Sequence, residues 1–126
     1  VTSFAFDANI IIDALVGRGK ARDELHRAAA DGQRLWLSRM AWIEVMSKGE
    51  GAKLRDAEEF MTGFAIDELD SEIAARAAAL RRERARFRAP DAVILASAQV
   101  RGRILVTRNT KDFPAEMPGI RVPYTL

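Results

Sequence analysis

The sequence contains no cysteine. Disulfides, zinc–thiolate centres and a thiol nucleophile are therefore excluded. Histidine occurs once, at His26, so a multi-histidine metal site is impossible. Any metal must be held by oxygen ligands, which favours a hard cation such as Mg²⁺ or Mn²⁺. Long apolar runs are missing as well. The uncharged stretch AVILASAQV falls far short of the roughly 20 residues that span a bilayer. Repeats, linkers and low-complexity segments are absent. The apolar N-terminus has no basic segment and carries Asp7 and Asp13, so a signal peptide is not expected. A cytoplasmic location is the default expectation, with an initiator Met either removed before Val1 or left out of the sequence.

What is present is the composition of a globular protein: 126 residues, 48% hydrophobic and 30% charged. One domain over residues 1–126 is expected. The net charge of +2 and a pI near 9.4 are compatible with a phosphate-rich partner. Strands are predicted at Ser3–Phe6, Arg34–Leu37, Ala65–Glu68, Arg103–Thr107 and Ile120–Val122. Helices are predicted at Asn9–Val16, Lys20–Asp31, from the Ser38 cap to Lys48, and at Ala52–Phe64. Two more follow: SEIAARAAALRRERARF, capped by Asp70, and a helix opened by Pro90 and ending near Gly102. This alternation predicts a three-layer α/β/α sandwich on a mostly parallel sheet. Ligands of such folds bind at the carboxyl ends of the strands.

Several acids stand near that edge. Asp7 follows the first strand; helix capping alone would also place it there. Glu44 has Met40 and Ala41 one turn before it, an apolar setting for a glutamate. A Glu44–Lys48 pair is the plain alternative, worth only a few tenths of a kcal/mol. Asp91 is the sole acid of the apolar helix PDAVILASAQV, where a helix N-terminus would favour it by about 0.3–1 kcal/mol. TRNTKDF, after the fourth strand, offers Thr107, Asn109 and Asp112, or simply an Asx turn. Gathered carboxylates repel and raise one another's pKa. A divalent cation relieves that repulsion and can activate water against a phosphodiester.

The ordered set FDANIIID, WIEV, PDAVILASA and TRNTKDF resembles the signature of the PIN-domain nucleases, and more narrowly of VapC-type toxins. The resemblance spans essentially the whole chain. It implies a Mg²⁺- or Mn²⁺-dependent endoribonuclease with an acidic pocket at Asp7, Glu44 and Asp91. Asp112 is preferred as its fourth charged member, with Asn109 as a polar neighbour and Thr107 as a supporting hydroxyl. Asp7 and Asp91 would ligate the metal directly, and Glu44 directly or through water. The family often has Ser or Thr after the first acid; here it is Ala8, and Asn9 is expected to supply the polar contact. Arg86 and Arg88 of RRERARFR, with Arg39 and Lys111, are candidates for RNA contact, beside a solvated-surface alternative. Trp36 and Trp42 could stack on bases, although core or interface packing is the simpler expectation. His26 is read as a surface or packing residue. The resemblance also implies a homodimer and a cognate antitoxin (VapB-like) laid against the helices Ala8–Val16 and Ala52–Phe64.

Other classes fit less well. A receiver-like signalling domain needs a phospho-acceptor at the end of a middle strand, where only the poorly placed Asp67 is available. A non-catalytic nucleic-acid-binding module explains the pI but leaves the acids repelling its ligand. A metal-dependent phosphatase needs an Asp nucleophile with a second Asp nearby, which DAN does not offer.

Overall fold

The computed structural model describes residues 2–30 and 32–126. Val1 and Asp31, the expected end of the second helix, lie outside the described residues. The elements are β1 (Phe4–Phe6), α1 (Ala8–Leu15), α2 (Gly19–Ala29), β2 (Leu35–Ser38), α3 (Arg39–Met46) and α4 (Ala52–Met61). They continue with β3 (Phe64–Asp67), α5 (Ser71–Glu83), α6 (Ala89–Arg101), β4 (Ile104–Val106) and β5 (Ile120–Arg121). The strands form one all-parallel sheet in the order β3-β2-β1-β4-β5, with helices packed on it. The chain walks outward from β1 to β3, then returns to place β4 on the other side of β1. That reversal opens a crevice between the ends of β1 and β4, the usual ligand position in such sheets.

Local signals set most boundaries. The Ser38 hydroxyl accepts the Ala41 N–H at 3.0 Å and caps α3. Asp70 does the same for α5 through the Ile73 N–H at 2.9 Å. Pro90 sits in the first turn of α6, and Gly102 ends that helix in the left-handed region, where a Cβ would be strained. α6 is buried without interruption from Asp91 to Ala98, as its lack of charge predicts. Phe6, Ile10, Ile11, Leu37, Leu105 and Phe113 are among the fully buried core side chains.

Two helices end three or more residues earlier than the sequence predicts. α4 stops at Met61, and Phe64 opens β3, with its ring against Phe6 and Phe60. α5 stops at Glu83, and Arg84 turns extended. The cause is Phe87, which is buried with its ring 6.0 Å from Phe113. A continuous helix through this basic stretch could not deliver that ring to the core and still let α6 begin at Ala89. No helix among the described residues is long and apolar enough to cross a membrane.

Candidate acidic active site

Asp7 leaves β1 and caps α1 in one step. Its Oδ1 accepts the Ala8 N–H at 2.8 Å, which closes the helix. Its Oδ2 accepts the Thr107 hydroxyl at 2.8 Å and the Asn9 side-chain amide at 3.2 Å. The capping and site readings thus describe one side chain, with one oxygen for each. Thr107 directly follows β4, so the acid is fixed across the crevice. Asn9 makes the polar contact that Ala8 cannot.

Asp7, Glu44, Asp91 and Asn109 line one cavity of about 380 Å³, with Asn9, Ser47, Lys48 and Arg88. Four elements converge there: the β1–α1 junction, α3, the first turn of α6 and the loop after β4. Burial holds the Asp7 carboxyl above its usual range, and the Asp91 charge adds to this; hydrogen bonds from Thr107 and Ala8 oppose it. Burial also raises Glu44, followed by the charges of Asp7 and Asp91. Asp91 is raised by burial and then by Asp112, against Arg88 at 3.8 Å. Each of the three acids is therefore costly to ionise, partly because of another acid. Glu44 forms no ion pair within 4.0 Å among the described residues, Lys48 included.

Among the described residues no three acids or histidines stand close enough together to hold a metal ion by themselves. The donor set still fits one cation type. Mg²⁺ keeps several waters and is held by one or two carboxylates together with substrate phosphates. An open cavity lined by oxygen donors, without cysteine or histidine, has that chemistry.

Asn109, rather than Asp112, faces this cavity. Asp112 adjoins it, close enough to Asp91 to raise that carboxyl by charge and by a side-chain hydrogen bond, while accepting from the Asn109 amide at 2.9 Å and returning its own N–H to Asn109 Oδ1 at 3.3 Å. Asp112 also lines an adjoining cavity of about 440 Å³ with Arg86, Arg88 and Lys111. Arg88 borders both cavities. Arg39 is elsewhere: it makes two bonds to Glu68, at 2.9 and 2.6 Å, and covers the Trp42 ring at 4.8 Å. Trp36 carries the Arg103 guanidinium at 3.6 Å on its ring. Both indoles are half-buried and neither lines the acidic cavity. His26 is exposed on α2. Asp67 is buried in a two-bond pair with Arg103, which removes it as an open phospho-acceptor.

A profile of the PIN domain matches residues 4–115 of this chain. The chain belongs to the PIN-domain family. That places it in a family of nucleases. No curated protein sequence matches it significantly. Among solved structures, a toxin–antitoxin complex from Klebsiella pneumoniae is 37% identical, covers 98% of this chain and 100% of its own, and superposes with a TM-score of 0.83. FitAcB from Neisseria gonorrhoeae shares the fold at 22% identity, with a TM-score of 0.79 over 98% of this chain and 99% of the other. VapBC2 from Rickettsia felis, bound to a promoter DNA fragment, does so at 18% identity and 0.77, over 94% and 96%.

Sequence reasoning missed Ser47 on the rim of this PIN-domain cavity, and saw Lys48 only as a partner for Glu44. The signal was available for both: they follow Glu44 by three and four positions on the same helical face.

Proposed function

We propose that this chain is a Mg²⁺- or Mn²⁺-dependent endoribonuclease and the VapC-type toxin of a toxin–antitoxin pair. The supporting observation is the meeting of Asp7, Glu44 and Asp91 on one cavity at the strand-order reversal. Asp7 and Asp91 would hold the ion, and Glu44 would hold it directly or through water. The ion supplies a water activated for attack on phosphorus and positive charge for the developing oxyanion. Thr107 and Asn9 orient Asp7 by hydrogen bonds. Asn109 presents a polar edge to the substrate, and Asp112 fixes that amide. Arg86, Arg88 and Lys111 receive neighbouring RNA phosphates. Arg39, engaged by Glu68, contributes less.

The 37% identity to a toxin–antitoxin complex supports the antitoxin partner. A groove of about 560 Å³ between α1, α3 and α4 is lined by Ile12, Leu15, Val16, Val45 and Ala57, with Lys48, Lys53 and Asp56 beside them. It meets the acidic cavity at Ile12 and Lys48. An amphipathic antitoxin helix laid there would reach the acids with its next residues. Residues 1–126 would act as one domain, as a homodimer in the cytoplasm.

The decisive experiment is RNA cleavage with Mg²⁺ or Mn²⁺, with EDTA, and with Asp91→Asn purified identically. Cleavage that needs metal and is lost in a folded variant sustains the reading. Equal cleavage by both proteins identifies a contaminant, and no metal-dependent cleavage by the wild type once it is removed overturns the reading. Binding without cleavage by either favours a nucleic-acid-binding module.

A further inference from the structure

Asp13 is buried, yet it takes no part in the acidic cavity. It stands on α1 four residues after Asn9, so the two share a helical face. Both grip the same residue of the loop after β4. Asn9 Oδ1 accepts the Arg108 backbone N–H at 3.4 Å. Asp13 takes the Arg108 guanidinium through Nε at 2.6 Å and Nη2 at 3.1 Å. The Tyr124 hydroxyl donates to the same carboxylate at 2.7 Å, and Arg18 lies 3.5 Å away.

This is an unfavourable place for an acid. Asp13 lies in the last turn of α1, where the helix dipole opposes negative charge, and burial opposes it too. A buried carboxylate there is tolerable only while its donors stay in position. What it fixes in return is Arg108, whose two chain neighbours both serve the acidic cavity. Thr107 orients Asp7. Asn109 lines the cavity and holds Asp112. Asp112 in turn acts on Asp91. The two sides of the cavity are thereby joined through one loop, and that loop is pinned to α1 at Arg108.

We infer that Asp13, Arg108 and Tyr124 form a clamp that sets the position of Thr107 and Asn109, and through them the affinity of the acidic cavity for a divalent cation. These are positioning residues, and the inference rests on the metal-dependent reading above. Partners behind metal ligands typically change affinity by about 10–100-fold.

The test compares Arg108→Lys and Tyr124→Phe with Arg103→Lys, a control at the buried Asp67 pair away from the cavity. Mn²⁺ affinity is titrated directly, thermal midpoints are recorded, and kcat and KM are measured on RNA. Arg108→Lys is expected to weaken Mn²⁺ binding by at least about tenfold. It should lower kcat with little change in KM, and excess Mn²⁺ should restore the rate. Tyr124→Phe should show a smaller loss of the same kind. Arg103→Lys should lose stability without losing Mn²⁺ affinity. Unchanged Mn²⁺ affinity in folded Arg108→Lys, or an equal fall in Arg103→Lys, overturns the clamp. If Arg108→Lys does not fold, Tyr124→Phe decides by the same criteria. A folded wild-type chain that binds no Mn²⁺ overturns the metal-dependent reading and the clamp with it.

Discussion

The Thr107 hydroxyl donates to Asp7 Oδ2 at 2.8 Å, joining positions 100 residues apart at the ends of neighbouring strands. The bond makes Asp7 a defined acceptor before any ligand arrives. Thr107→Val keeps the shape and removes the donor. RNA cleavage should fall about 10–100-fold, the range for partners behind metal ligands. Thr107→Ser should retain most of the rate. A Val variant that cleaves like wild type would remove Thr107 from the machinery.

The acids were legible because each carries a local signature. Asp7 breaks an apolar strand at a helix start, Glu44 lies among apolar residues, and Asp91 opens an uncharged helix. The partners of the other buried acids were less legible. Glu24 pairs with Arg121 and Asp67 with Arg103, across 97 and 36 positions. In a chain rich in arginine, nothing local selects the right one. Asp13 did leave a trace, as the one acid of the apolar segment NIIIDAL, but its partner lies 95 positions away. The end of α5 was hidden for a different reason. RRERARF is a plausible helix by propensity, and only the burial of Phe87 against Phe113 stops it.

Glu24 gives a pH dependence independent of the active site. Burial alone would raise its carboxyl, but Arg121 at 2.7 and 3.0 Å and Arg27 at 2.6 and 3.0 Å bring it down to about 2. Its ordinary value is 4.5. The folded state therefore gains stability that is complete above the ordinary value and is lost as pH falls toward 2. With both arginines partly exposed, that contribution is about 1–3 kcal/mol. Urea midpoints of wild type should drop more steeply than those of Glu24→Gln over this window. Parallel curves would show that the ion pairs contribute nothing.

The acidic cavity predicts opposite effects of one substitution on stability and activity. Burial raises the Glu44 carboxyl, and the Asp7 and Asp91 charges raise it further. Without metal, Glu44→Gln should melt at or above the wild-type midpoint, because it removes a repelling charge. RNA cleavage should be lost. Added Mg²⁺ should stabilise wild type by about 2.7 kcal/mol at one hundred times its Kd, and Glu44→Gln by less at the same concentration. A variant destabilised without metal would mean that Glu44 is a structural ion-pair partner.

The cavity of Arg86, Arg88, Lys111 and Asp112 adjoins the acids through Arg88. Arg86 and Lys111 are exposed and form no ion pair within 4.0 Å among the described residues. On the proposed reading their charge would meet phosphates flanking the scissile bond and not the reacting atoms. The double variant Arg86→Ala/Lys111→Ala should therefore raise KM and leave kcat nearly unchanged. Each lost phosphate contact should also reduce the slope of log affinity against log salt by about 0.7 for single-stranded RNA. Equilibrium binding between 50 and 200 mM salt, roughly the range over which such contacts dominate affinity, reads this directly. A lower kcat with an unchanged salt slope would instead place these side chains in support of Asp112, beside the acidic cavity, and not on the RNA.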